Sequence, residues 1–138
     1  MQAQVKQVEG LVMVGKADSN HWMVMDTAKT HEGTGAGSSP MEILLIALGG
    51  CFGMHVISLL TKKRVLVESF KVKLDSERTD EHPRVFTQIN VKCMLSGKKL
   101  KEEDVKWAIE RVSQKYCSVG IMLKKTAQIN YSWEIVSS

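Results

Sequence analysis

Two of the three cysteines stand where thiol chemistry would need them. Cys51 lies in the apolar stretch of residues 41–60, flanked by Gly49, Gly50 and Gly53. Cys117 lies in Lys115-Tyr116-Cys117-Ser118-Val119, after an amphipathic run. A lone thiol inside an apolar helix is inert, because nonpolar surroundings raise its pKa and withhold the thiolate. Two thiols that meet behave differently: one attacks an oxidant, the other resolves the oxidised sulfur to a disulfide, and two electrons have moved. His55 follows Cys51 by one helical turn, so its imidazole can take the thiol proton or, when charged, hold the thiolate. A histidine hydrogen-bonded at a subunit interface fits the same position, and both readings stay open. His31 and Lys29 stand in a loop and Lys16 on an opening strand, with solvated side chains as the plain alternative. Cys117, where it begins a short helical piece, gains some acidity from exposed N–H groups. Cys93 points with core residues and reads as packing.

The elements that would position these groups follow from periodicity and turn residues. Three short strands open the chain, over residues 5–8, 11–16 and 21–26, with turns at Gly10 and at Ala17-Asp18-Ser19-Asn20. Residues 27–39 form a loop rich in Gly, Thr and Ser. Ser39 can cap a helix with Pro40 at its first position, and the apolar run continues to Lys62, where cations suit the helix C-terminus. Glu42 in the first turn is favoured by the helix dipole. A hairpin follows, with Leu66, Phe70, Val72 and Leu74 on one face of its first strand. Val85, Thr87, Ile89, Val91, Cys93 and Leu95 share one face of the second, and the turn falls in residues 76–83. Val105, Ala108, Ile109, Val112 and Tyr116 recur at helical spacing after an opening at residues 98–104. A short helical piece at 118–125 precedes a last strand, 128–136, with Ile129, Tyr131, Trp133 and Ile135 inward. The order βββ-α-ββ-αα-β predicts an α+β fold, one domain over 1–138, with antiparallel sheets around a long central helix.

That helix is apolar around its circumference, through Ile43, Leu44, Leu45, Ile46, Leu48, Phe52, Val56, Ile57 and Leu59. One sheet covers only one face, so a second copy of the chain is expected on the other, as an intimate homodimer. Glycines beside Cys51 permit close helix crossing, which offsets their cost of ~1 kcal/mol each against Ala.

Composition narrows the function. The 138 residues are 43% hydrophobic and carry a formal charge of +4, from 19 Lys and Arg against 15 Asp and Glu. The cations are dispersed, and aromatic residues make up only 6%, which argues against a nucleic-acid face. The apolar run approaches a spanning length, yet Glu42, His55 and the glycines oppose membrane insertion. No cleavable leader, disulfide framework or Cys-x-x-Cys pair is present, so a cytoplasmic chain without a structural metal or bound cofactor is expected. Gly33-Thr34-Gly35-Ala36-Gly37 lacks the spacing of a dinucleotide fingerprint and reads as a flexible loop.

The run Gly37-Ser38-Ser39-Pro40-Met41-Glu42-Ile43-Leu44-Leu45-Ile46-Ala47-Leu48-Gly49-Gly50-Cys51 resembles the helix opening of the OsmC/Ohr family, the osmotically induced and organic hydroperoxide resistance proteins. Tyr116-Cys117-Ser118-Val119 resembles its second cysteine motif, and the element order matches along the chain. The resemblance implies an intertwined homodimer with two interfacial sites. It also implies an organic hydroperoxide substrate attacked by Cys51, a disulfide to Cys117, and a dithiol reductant such as a lipoylated protein. Met41, Phe52, Met54 and Met122 are the apolar candidates for lining the substrate pocket. The sequence departs from the family in two respects. The glutamate that its peroxidases place ten residues before the attacking cysteine is replaced by Met41, and no arginine precedes Arg64 to pair with it. The chain is therefore most similar to a divergent branch, and a non-enzymatic dimer binding a small hydrophobic ligand is the second reading. Acyl transfer through Cys51 is a third, unsupported by any Ser/His/Asp arrangement.

Overall fold

Turn chemistry builds the first sheet of the protein, seen in a computed structural model that describes residues 1–137. Strands β1 (Ala3–Glu9), β2 (Val12–Ala17) and β3 (Met23–Met25) pair antiparallel in that order. Gly10, at φ 56°, turns the first hairpin. Asn20 adopts the left-handed conformation at φ 61° and its N–H closes a turn on the Ala17 carbonyl, as that side chain tolerates. Pairing resumes only at Met23, so β3 is shorter than the alternation over residues 21–26 predicts. These strands belong to a compact unit, Met1–Ile46; a second comprises Ala47–Ser138.

The loop of the first unit is stapled by one carboxylate. Buried Asp26 accepts hydrogen bonds from the Thr27, Thr34 and Ala36 N–H groups and from the Thr34 hydroxyl. Those donors hold its carboxyl well below the usual carboxylate range. The glycine-rich loop is therefore an ordered turn around Asp26.

Helix α1 (Pro40–Lys62) starts where Ser39 and Pro40 predict. Ser39 and Glu42 form a capping box: the Glu42 N–H donates to Ser39 Oγ at 3.3 Å and the Ser39 N–H donates to the Glu42 carboxylate at 2.6 Å. At the far end Arg64, at φ 60°, lets the Val65 N–H return to the Leu60 carbonyl and the Arg64 N–H to that of Thr61, satisfying carbonyls the helix leaves free.

In the second unit, β4 (Ser69–Arg78), β5 (Phe86–Ser96) and β6 (Gln128–Ile135) form a sheet in sequence order. Its helices are α2 (Glu102–Arg111) and α3 (Ser118–Leu123), joined by a π-helical turn, Val112–Tyr116. β4 and β5 are antiparallel, but β6 runs parallel to β5, so the expectation of wholly antiparallel sheets fails at this strand. The reason is the connection: two helices between β5 and β6 return the chain to the end it left, as a crossover does and a tight turn cannot. Two further details differ. Leu66 is 80% exposed in the connection before β4, not on its inner face. In β5, Phe86 is buried and Thr87 exposed, because a bulge sets Arg78 against Phe86 and Glu77 against Gln88.

The core is a stripe of α1 (Leu48, Phe52, Val56, Leu60), the inner face of β5 (Ile89, Val91, Cys93, Leu95) and the inner face of α2 (Val105, Ala108, Ile109) with Val112 beyond its end, all buried. Each such side chain stabilises the fold by about 1.5–3 kcal/mol. A Cβ on Gly53 would stand 2.9 Å from the Phe70 ring, and one on Gly49 2.8 Å from Leu74, so these two glycines bring α1 onto β4. Gly50 does not pack on the sheet: a Cβ there would meet only Met54, at 4.0 Å. The opposite face of the sheet is polar, with Asp75, Asn90 and Asn130 in register and joined by amide hydrogen bonds of 2.8 and 3.0 Å.

Candidate functional site

Cys51 and Cys117 meet. Cys51 stands on α1 between buried Leu48 and Phe52, and is itself half-buried. Cys117 is brought to it by the π-helical turn, which ends as the Cys117 N–H donates to the Val112 carbonyl at 2.9 Å. Such turns recur where a helix must re-aim one residue at a functional site. Cys117 then caps α3, its sulfur accepting the Gly120 N–H at 3.3 Å. Cys117 is fully buried, and burial pushes its thiol up to about 11; the Gly120 N–H pulls the other way, and the neighbouring Cys51 raises it further. The pair is thus asymmetric: Cys51 is half-buried, while Cys117 is fully buried and keeps its thiol proton.

Tyr131, on β6, completes the cluster. Its ring stacks on Phe52 with centroids 5.1 Å apart. Burial, with the charge of a thiolate at Cys117 or Cys51, raises its phenol to about 12. Sequence periodicity places Tyr131 inward but assigns it no role. The one available signal is that an inward tyrosine needs somewhere for its hydroxyl.

The other candidates stand as follows. His55 is half-buried with its ring 6.2 Å from that of Tyr116, an aromatic neighbour rather than a carboxylate. Phe52 is fully buried behind Tyr131, whereas Met54 and Met122 are 73% and 72% exposed in the single chain. Met41, in the first turn of α1, is half-buried. In the first unit His31 is exposed on a 3-10 turn, its Nδ1 3.1 Å from Thr30 Oγ1, and Lys29 beside it is exposed. Lys16 donates to Asn20 at 2.6 Å and lies over Trp22. Cys93 is buried against the core, which pushes its thiol up to about 12, and is inert packing.

This pair of thiols, on a capped apolar helix and at a helix junction, agrees with a family match. A model of the OsmC-like proteins matches residues 33–132. The chain belongs to the OsmC-like family. It is 44% identical over its full length to protein YhfA of Escherichia coli, also covered in full. Its fold is that of an OsmC-like protein from Mycoplasma pneumoniae, at 18% identity with a TM-score of 0.84 over 99% of this chain and 96% of that one. An organic hydroperoxide resistance protein from Legionella pneumophila shares the fold at 10% identity and a TM-score of 0.71, over 97% of each chain. Those two structural likenesses speak to the fold alone.

Proposed function

We propose that this OsmC-like chain is a cytoplasmic, homodimeric thiol peroxidase that reduces organic hydroperoxides through Cys51 and Cys117. The observation that carries the reading is the asymmetric pair, a half-buried thiol beside a fully buried one. The Cys51 thiolate attacks the outer oxygen of the hydroperoxide, releasing the alcohol and leaving a sulfenic acid. The Cys117 thiol condenses with it, water departs, and an external dithiol reduces the disulfide. The thiols carry both electrons, so the cycle needs no bound cofactor. Support for the substrate comes from the hydroperoxide resistance named for a structural neighbour. Support for the dimer comes from apolar side chains the single chain leaves bare, among them Ile46 (62% exposed) and Met54 on α1. A second copy would cover these and shape a pocket from Met54 and Met122.

One observation favours a second reading. The Glu42 carboxylate is engaged in the helix cap, so it is not free to replace the glutamate absent at Met41. A dimer that binds a hydrophobic ligand without turnover would show this pattern. Mass spectrometry after one equivalent of cumene hydroperoxide, with non-reducing peptide mapping, separates the two. Rapid loss of two hydrogen masses mapping to Cys51 and Cys117 is expected. Thiols that stay reduced, or react no faster than free cysteine, would leave the ligand-binding dimer.

A further inference from the structure

The two-cysteine cycle leaves one polar group at the thiols without a task, and one proton without a route. Stacking on Phe52 fixes the Tyr131 ring. A Cβ on Gly120 would stand 2.9 Å from Tyr131 Oη and 3.2 Å from Cys117 Sγ, so phenol and thiol converge on the one residue of α3 that has no side chain to part them. Around buried Cys117 the polar neighbours are the Gly120 and Val119 N–H groups and the Cys51 sulfur, and none is a base for its proton once Cys51 is a sulfenic acid. Burial keeps Tyr131 protonated and therefore a donor, and the titratable groups that add to this are Cys117, at the start of α3, and Cys51, from α1.

We infer that Tyr131 is a catalytic proton shuttle for the resolving step, an inference that rests on the peroxidase cycle proposed above. As the Cys117 sulfur forms the disulfide bond, the Cys51 S–O bond breaks. The Tyr131 hydroxyl gives its proton to the departing hydroxide, which leaves as water, and takes the proton of the Cys117 thiol. Cys117 is oxidised, the Cys51 sulfur is reduced from sulfenic acid to disulfide, and the phenol ends as it began. The absence of a Cβ at Gly120 is what allows the transfer.

The test is single turnover of the full-length protein, wild type against Tyr131→Phe, which keeps the ring on Phe52. After one equivalent of cumene hydroperoxide, acid-quenched samples are read by mass spectrometry for sulfenic acid and disulfide. The variant is expected to consume hydroperoxide at the wild-type rate, then to accumulate sulfenic acid as closure slows by about 100-fold, the scale of general acid–base catalysis. Its closure rate should also climb with pH, as bulk hydroxide replaces the shuttle. Closure at the wild-type rate with an unchanged pH profile would overturn the inference.

Two further arms keep the outcomes apart. Diamide, an azo oxidant that takes the same two electrons from a dithiol and becomes the hydrazide, closes the pair without peroxide. If wild type closes with diamide but ignores hydroperoxide, the peroxidase reading fails, and slow diamide closure in Tyr131→Phe still supports the shuttle while unchanged closure sinks it. The chain has two tyrosines, so global fluorotyrosine labelling in a Tyr116→Phe background alters only position 131. The shuttle shifts the pH profile of closure towards acid with this more acidic phenol, which a packing role would not do. That protein keeps its hydroxyl and serves as the test should Tyr131→Phe fail to fold.

Discussion

One chain holds three thiols in three environments, and environment alone divides their work. Cys51 is half-buried, Cys117 is fully buried beside it, and Cys93 is buried among aliphatic side chains. Cys51→Ser is expected to reduce hydroperoxide consumption to the uncatalysed rate. Cys117→Ser should form the sulfenic acid with one hydroperoxide, pass to the sulfinic acid with a second, and stall there, visible as added oxygen masses. The buried thiols also set an alkaline limit. Folded-state values raised to about 11 and about 12, from an ordinary 9.0, favour the folded chain fully below pH 9, and that contribution is lost as pH rises towards the folded values. Denaturant midpoints should fall above pH 9, and Cys93→Val should fall less steeply because one of the two groups is gone. Cys51 and Cys117 could be picked out from residue type and setting. The hydroxyl of Tyr131 could not, since its place depends on a glycine eleven positions earlier, on helix α3.

Elements convert these side chains into a fixed arrangement. The capping box was half legible: Ser39 and Pro40 marked the helix start, and Glu42 three residues later is the partner a box requires. Ser39→Ala should lower stability by about 1 kcal/mol, measured by urea unfolding. The glycines of α1 were legible as small residues permitting close approach, but what approaches them was not. Gly53→Ala gains about 1 kcal/mol of helix propensity and meets the Phe70 ring edge at 2.9 Å. An overpacked core site costs about 1–3 kcal/mol, so the variant should be destabilised on balance. Asp26→Asn should loosen the glycine-rich loop, seen as faster amide exchange at Thr34 and Ala36. The folded carboxyl lies below its ordinary 3.8, so this staple contributes above that pH and is lost as pH falls through the lower folded value.

The whole molecule leaves apolar side chains exposed on both the first sheet and the long helix. Ile46, Met54 and Ile57 recur on α1 at helical spacing and are all exposed. A groove of about 560 Å³ on the first sheet is lined by Val5, Trp22, Met23 and Met25. Charge placed on such a surface blocks burial against a partner, so Met54→Lys is expected to convert a dimer to monomers in sedimentation equilibrium, with the chain still folded. The local pattern of residues determined the order of elements, the ends of α1, the inward faces of most strands and the two cysteines, because period, capping and turn residues act within a few positions. Tertiary structure alone decided that β6 runs parallel to β5, that Gly49 and Gly53 face a sheet, and that Cys51 and Cys117 come together with Tyr131 beside them. Those outcomes depend on contacts between residues far apart in the chain, where the path of a crossover and the absence of one Cβ govern what can touch.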